Sequence, residues 1–137
     1  MLVIISCGKA KDKRPQPAAQ LYTSAYFKVM LKFALCMTTP ENIRILSAKY
    51  GLLKLNQVVE PYELRVGEPN TITLNTVKDQ ARDQGLLNEQ VYAVCGSDYA
   101  RIILSVWSNA IWVLKDKGTI DKQQKWMYQQ MRKATNV

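Results

Sequence analysis

The sequence has 137 residues, which suits a single domain, and 47% of them are hydrophobic, a share that argues against disorder. It carries a net charge of +8 and contains no histidine, which excludes Ser-His-Asp catalysis and the commonest metal ligand. The cysteines Cys7, Cys36 and Cys95 form no CxxC pair, so we expect neither a metal nor a cofactor. No apolar run is long enough to span a bilayer and we see no signal peptide, so we expect a cytoplasmic protein without membrane contact.

The excess of positive charge is concentrated near the two ends of the sequence. Residues 9–14 carry a net charge of +3 and residues 115–137 one of +4, whereas the residues between them carry +1. Such clustering is typical of a surface that binds phosphate groups, and a solubility surface is the alternative. We predict a nucleic-acid surface that contains Lys11, Lys13, Arg14, Lys122, Lys125 and Trp126.

The first half of the sequence predicts a strand, a helix and a second strand. Residues 2–7 are apolar and β-branched, as in a buried strand of a parallel sheet, and a polar loop over 8–22 follows them. The next segment has an apolar stripe at helical spacing, and Thr23 or Ser24 is its expected N-cap. Residues 43–47 form the second predicted strand.

The second half of the sequence begins with an extended excursion over residues 56–70, where two prolines argue against helix. A short helix capped by Thr73 or Asn75 is expected to run through Gln84. Residues 91–95 form the third predicted strand, which is closed by a glycine.

The last predicted elements are a helix, a fourth strand and a basic amphipathic helix. Ser97 or Asp98 is the expected cap of the first helix, residues 110–114 are the strand, and the final helix runs from about residue 119 to 133. Strands that alternate with helices indicate a parallel sheet with helices on both faces. We therefore predict one α/β domain over residues 1–137, a three-layer sandwich with a mainly parallel sheet of about four strands.

The carboxyl ends of the predicted strands carry polar residues, and ligands of such sheets bind at that edge. Small residues there let backbone N–H groups approach an anion, and the following helix adds partial positive charge. The alternative for the serines is a role as turn and cap residues, and no GxGxxG or P-loop motif is present. The predicted substrate- or phosphate-binding residues are Ser6, Cys7, Lys9, Ser47, Tyr50, Gly51, Tyr62, Gly96, Ser97 and Tyr99.

Three residues are candidates for catalysis: Glu60, Asp98 and Lys49. Pro61 restricts Glu60 to an extended conformation, which can aim its carboxylate at a fixed point. In a basic environment, a carboxylate can act as a general base or stabilise positive charge on a sugar ring. The alternative for Glu60 is an exposed loop charge.

Two cysteines and three tryptophans each have more than one interpretation. Cys7 and Cys95 end two strands; one interpretation is a thiolate nucleophile, and the favoured one is a pair of small buried residues beneath the strand ends. Trp107 and Trp112 lie in apolar stretches and are predicted in the core. Trp126 lies among lysines and is predicted to stack on bases.

Four short motifs occur in the same order in the YaaA-like proteins. They are Ile-Ser-x-x-Lys from Ile5, Leu-Ser-x-x-Tyr-Gly from Leu46, Pro-Tyr-x-Leu from Pro61 and Ser-Asp-Tyr from Ser97. The sequence resembles the short bacterial and phage members of that family from residue 3 to about 126. The resemblance implies a role directed at nucleobases or nucleotides, in a bacterial cell or a phage-infected host. Longer members carry a DNA-binding helical insertion for which this chain has no length, so their DNA binding does not transfer directly.

Three functions follow as hypotheses. In the first, the protein acts on nucleotides or nucleic acid, as a glycosidase or transferase at an N-glycosidic bond of a modified or ordinary nucleobase. Lys9, Lys49 and Tyr50 would then hold phosphate, and Glu60 or Asp98 would act on the sugar or base. The second is a non-catalytic DNA-binding protein that uses the basic last helix, and the third is a phage or host protein-interaction module.

Overall fold

The computed structural model describes residues 1–135, which fold into a five-stranded sheet, a small two-stranded sheet and five α-helices. The strands are β1 (Leu2–Ser6), β2 (Gln16–Pro17), β3 (Ile43–Ser47), β4 (Gly51–Lys54), β5 (Val58–Val59), β6 (Val91–Val94) and β7 (Ile111–Trp112). The helices are α1 (Ala18–Leu21), α2 (Ala25–Met37), α3 (Leu74–Asp83), α4 (Ser97–Val106) and α5 (Ile120–Thr135), and a 3-10 turn spans Pro40–Asn42.

The main sheet has the strand order β4-β3-β1-β6-β7. β3, β1, β6 and β7 are parallel, and β4 turns back antiparallel to β3. The α/β class and the mainly parallel sheet are therefore confirmed. The sheet has five strands rather than four because residues 51–54 pair with β3 through a tight turn that the sequence interpretation missed.

Apolar side chains on alternate positions of the strands divide the core into two clusters, one on each face of the sheet. Val3 and Ile5 of β1 face α2 and α5, whereas Leu2 and Ile4 face α3 and α4. The molecule is thus a three-layer sandwich, as predicted. In the described part of the chain, no helix combines the length and the apolar character that crossing a membrane would need.

The predicted helix starts are confirmed for α2 and α3 but not for α4. The Ser24 hydroxyl accepts the N–H of Phe27, and the Thr73 hydroxyl accepts the N–H of Thr76. In α4 the N-cap is Gly96, so the expected cap Ser97 or Asp98 is wrong. Both residues lie in the first turn of α4, because the extended backbone that follows β6 ends at Gly96, one residue before Ser97.

Three further boundaries differ from the predictions. The polar loop over 8–22 contains β2 and α1, and β2 pairs with β5 inside the predicted excursion. The fourth parallel strand is limited to Ile111–Trp112, because residues 113–116 form turns. The last helix runs two residues beyond its predicted end. Short segments such as these depend on pairing partners distant in sequence, which local patterning does not identify.

The order of the strands defines where a ligand is expected. From β1 the chain crosses through α2 to β3 on one side, and from β6 it crosses through α4 to β7 on the other. The two connections diverge between the adjacent strands β1 and β6. In open α/β sheets such a switch point opens a crevice beyond the carboxyl ends of the strands, and ligands bind there.

Candidate functional site

A cleft lies at the predicted place, beyond the ends of β1 and β6. Its first hollow has a volume of about 280 Å³. The end of β1, the start of α4 and the segment 64–66 line it. The residues are Cys7, Gly8, Lys9, Leu64, Arg65, Val66, Asp98 and Tyr99. Four predicted site residues, Cys7, Lys9, Asp98 and Tyr99, are therefore brought together.

A second hollow, of about 340 Å³, adjoins the first. Lys9, Leu64 and Arg65 line both hollows and form a wall that the two share. Lys11, Glu63 and Glu68 complete the second hollow. The shared wall therefore carries two cationic side chains, and carboxylates lie on both sides of it.

The start of α4 adds hydrogen-bond donors to the cleft. Gly96 has no side chain to accept a hydrogen bond, and the first turn of α4 has no side-chain cap. A Cβ at Gly96 would meet nothing within 4 Å, so the backbone there is open to approach. A helix N-terminus presents free N–H groups and partial positive charge, so this turn offers hydrogen-bond donors to a ligand, while its own Asp98 carboxylate offsets part of that charge.

The Cys7 sulfur lies 3.1 Å from the Tyr99 phenol oxygen. Burial, and next the nearby Cys7, raise the pKa of Tyr99 well above the usual range of a phenol. The phenol is therefore protonated at neutral pH and can donate a hydrogen bond to the sulfur. Cys95, by contrast, is buried, and that burial raises the pKa of its thiol to about 12, so it is not a nucleophile.

Ser6 and Ser47 lie beneath the cleft rather than in it, contrary to the prediction that they bind substrate. The Ser6 hydroxyl donates to the sulfur of Met30, and Ser6 is buried. The fully buried Ser47 hydroxyl donates to the Tyr62 hydroxyl over 2.7 Å and accepts the N–H groups of the turn that follows. Both hydroxyls have internal partners because the strand ends are covered by other segments.

Tyr62 is the centre of a buried hydroxyl network. Its oxygen lies 2.6 Å from that of Tyr22 and accepts the hydrogen bond from Ser47. Burial raises the pKa of Tyr22 to about 12 and also raises that of Tyr62. Tyr62 is thus a structural residue that anchors the excursion, and the cleft residues Leu64 and Arg65 follow it two and three positions later.

Lys11 is half-buried beside this network rather than free on a nucleic-acid surface. Its ammonium donates to the Lys9 carbonyl over 3.0 Å and lies 4.4 Å from the centroid of the Tyr62 ring. Desolvation by burial lowers the pKa of Lys11. Lys13 and Arg14 are exposed, as predicted for surface cations.

Lys49, Tyr50 and Glu60 form a separate group that lines neither hollow. The Tyr50 hydroxyl donates to the Glu60 carbonyl over 3.1 Å, and the Lys49 ammonium lies 5.2 Å from the Tyr50 ring centroid. Both charged side chains are exposed. The Glu60 side chain therefore fits the alternative interpretation, an exposed loop charge.

Gly51 is a structural glycine at the turn into β4. Its φ is +74°, and a Cβ would lie only 2.1 Å from Gln80 Oε1. The Gln80 side chain accepts the N–H of Leu52 and donates to the carbonyl of Tyr50. Gln80 thus fixes the turn from outside the sheet, and Gly51 makes room for it.

The basic end of the chain forms α5, which packs against α2. Lys122 and Lys125 are exposed. Trp126 does not present a free face for bases: its ring packs on Phe33 with centroids 5.6 Å apart, and the Lys117 ammonium lies 4.9 Å from it. The ring packs toward α2 because α5 buries an apolar stripe against that helix.

Arg65 is the principal site residue that the sequence interpretation missed. It lies in a proline-flanked excursion with no motif of its own, and Tyr62, three residues earlier, ties that excursion to the end of β3. Among residues 1–135, no group of three or more Cys, Asp or Glu side chains is arranged to hold a metal ion.

The fold and the cleft define an α/β protein whose candidate ligand site lies at the switch point of a parallel sheet. The chain belongs to DUF6884, a family of unknown function, whose model matches residues 2–129. No curated protein matches the chain.

Proposed function

We propose that the protein binds the phosphate group of a nucleotide or nucleic-acid strand in the switch-point cleft. The observation that carries this proposal is the convergence of Lys9, Arg65 and the first turn of α4 on one hollow. Charge-assisted hydrogen bonds to phosphate are stronger than neutral ones, and arginine binds phosphate in a bidentate manner. The net charge of +8 adds long-range attraction for a polyanion.

The resemblance to the YaaA-like proteins supports the same proposal from the sequence. Among the quoted motifs, the Ser-x-x-Lys motif supplies Lys9, and the Ser-Asp-Tyr motif supplies Asp98 and Tyr99. All three side chains line the first hollow. The motif residues Ser6, Ser47 and Tyr62 support the cleft from below.

A fluorescence-anisotropy titration with labelled single-stranded oligonucleotide tests the proposal. We expect Lys9→Ala and Arg65→Ala each to weaken binding about tenfold or more, the equivalent of losing a charge-assisted hydrogen bond. Lys78→Ala is the matched control, since it removes one exposed positive charge from α3, outside both hollows. Equal affinity of all four proteins, or no binding by the wild type, would overturn the proposal.

We propose further that Asp98 is the residue that acts on the sugar or base, at an N-glycosidic bond. Its exposed carboxylate lines the first hollow beside the protonated phenol of Tyr99. A carboxylate next to a sugar ring stabilises the positive charge that develops as the bond between the sugar carbon and the base nitrogen breaks. Water then adds to that carbon and loses a proton, and the departing base takes up a proton, so the products are the free base and a sugar hydroxyl. Glu60 lines neither hollow, so Asp98 carries this role alone.

Release of free base from nucleosides and single-stranded DNA tests this chemistry. The expected result is base release by the wild type and a loss of at least a hundredfold in Asp98→Asn, with oligonucleotide binding retained. Glu60→Gln is the matched control and is expected to keep full activity. If the wild type releases no base, the reaction is wrong while the binding proposal stands on its own experiment.

The exposed lysines of α5 favour a second candidate, a non-catalytic DNA-binding surface. Lys122 and Lys125 are exposed on this helix, and the exposed Tyr128 lies in a shallow groove with Lys125. This candidate predicts that the log-log salt slope of duplex binding falls by roughly one for each lysine removed. An unchanged slope in Lys122→Ala and Lys125→Ala would exclude it.

A further inference from the structure

The shared wall between the two hollows is positively charged, whereas each hollow also contains at least one carboxylate beyond the wall. Lys9 and Arg65 line both hollows, so a phosphate on the wall contacts cations whichever side it approaches from. Beyond the wall, the first hollow holds the carboxylate of Asp98, and the second holds those of Glu63 and Glu68. The wall is therefore the place for one anionic group, and additional negative charge in either hollow meets a carboxylate.

Lys11 does not reverse the charge of the second hollow. Its ammonium is directed at the Lys9 carbonyl and at the Tyr62 ring. Beyond the shared wall of Lys9 and Arg65, the charged groups of the second hollow are this one lysine and two carboxylates. When one phosphate occupies Lys9 and Arg65, the further phosphates of a di- or triphosphate would lie beside Glu63 and Glu68, whereas sugar hydroxyls and base amino groups would find acceptors there.

The first hollow has the surfaces that suit a neutral base. Leu64 and Val66 give it apolar walls, and the half-buried Tyr99 contributes an aromatic side chain. The Asp98 carboxylate accepts hydrogen bonds from amino or ring N–H groups. A base that enters this hollow can thus be both packed and hydrogen-bonded.

The hollow volumes, about 280 and 340 Å³, lie at or near the lower limit for small-molecule sites. Each hollow therefore suits one nucleoside, and the wall between them suits the group that links two nucleosides. We infer that the ligand is single-stranded nucleic acid, with one phosphodiester on Lys9 and Arg65 and a nucleoside in each adjoining hollow. This inference rests on the proposed phosphate binding and names the class of phosphate compound.

Competition against the labelled oligonucleotide tests the inference with three probes of the same base. They are a dinucleoside monophosphate, a nucleoside 5′-monophosphate and a nucleoside 5′-triphosphate. A phosphodiester carries a single charge, whereas a terminal phosphate carries about −1.5 to −2 at neutral pH. We expect the dinucleoside monophosphate to compete at least tenfold better than either nucleotide. A nucleoside 5′-methylphosphate, which has the diester charge but no second nucleoside, should compete with intermediate strength.

A carboxylate variant separates charge from size. Glu63→Gln combined with Glu68→Gln should improve competition by the triphosphate at least fivefold relative to competition by the dinucleoside monophosphate, because the single phosphodiester stays on the wall. Glu89→Gln is the control, since Glu89 lines neither hollow. An unchanged triphosphate affinity in the double variant would overturn the charge argument.

Two outcomes would overturn the inference while leaving phosphate binding intact. One is a nucleotide that competes as well as the dinucleoside monophosphate. The other is tighter binding of duplex than of single-stranded DNA. In both cases, Lys9→Ala would still weaken binding. If Lys9→Ala instead binds the oligonucleotide and every competitor as tightly as the wild type does, the proposed function itself is wrong.

Discussion

The sulfur of Cys7 and the phenol oxygen of Tyr99 are 3.1 Å apart, which joins the end of β1 to the first turn of α4 across the cleft. Cys7 also lies within electrostatic range of Tyr22 and Tyr62 beneath the cleft and of Lys11 in the second hollow. A half-buried thiol thus connects the residues that line the first hollow with the hydroxyl network that supports it.

Ligand binding should protect Cys7 from alkylation. Cys7 lines the first hollow, whereas Cys36 is exposed on α2, outside both hollows. Saturating single-stranded oligonucleotide should slow the modification of Cys7 by a small thiol reagent at least fivefold and leave Cys36 unchanged, as measured by peptide mass spectrometry. Equal rates for Cys7 with and without oligonucleotide would argue against occupancy of this cleft.

Removing the Tyr62 hydroxyl should destabilise the protein. Tyr62→Phe leaves the buried Ser47 and Tyr22 hydroxyls without their shared partner, which costs about 1–3 kcal/mol in the free energy of unfolding. Urea denaturation followed by circular dichroism measures this cost. Tyr128→Phe, at an exposed position, is the control and should change the free energy by about 0.5 kcal/mol or less. A Tyr62→Phe protein as stable as that control would refute the role of the network.

Stability should fall between about pH 10 and 12. Burial raises the pKa of Tyr22 from its ordinary value of 10 to about 12, so the folded state keeps a proton that the unfolded state loses. The stabilisation is therefore complete below pH 10 and is lost as pH rises toward 12. Tyr62, Tyr99 and Cys95 act in the same direction, since burial raises the pKa of each of them.

The Tyr22→Phe variant isolates one part of this pH effect. Its unfolding free energy should decline less steeply above pH 10, with a difference of roughly 1–3 kcal/mol accumulated by pH 12. Lys11 and Arg44 oppose the trend, because burial lowers the pKa of each and the folded state releases those protons first. They are two groups against five, since burial also raises the pKa of Tyr26. Urea titrations at intervals of half a pH unit would measure both slopes, and identical slopes would contradict the assignment.

Gly51→Ala should be costly for two separable reasons. The φ of +74° strains any residue with a Cβ, and that Cβ would meet the Gln80 side chain. We expect a loss of about 2–4 kcal/mol in the wild-type background. In a Gln80→Ala background the additional cost should fall to about 1–2 kcal/mol, because only the backbone strain remains. A double-mutant cycle from chemical denaturation measures the difference, and full additivity would show that Gln80 does not restrict this turn.

Local patterns in the sequence determined the central elements. Continuous apolar runs identified β1, β3 and β6, and the apolar stripe and hydroxyl caps identified α2 and α3, because burial and capping act within a few residues. The same patterns placed Cys7, Lys9, Asp98 and Tyr99 at the ends of two strands. Parallel strands carry their carboxyl ends to one edge, so these residues met there as expected.

Tertiary structure alone decided what else reaches the cleft. Arg65 and Leu64 carry no local signal and arrive because Tyr62, beneath the cleft, is bonded to the distant residues Ser47 and Tyr22. The same packing takes Ser6 and Ser47 out of the cleft, because a short hydroxyl at a covered strand end finds its partner inside the protein. Periodicity fixes which face of an element is buried, whereas the position of a long irregular loop depends on contacts made far along the chain.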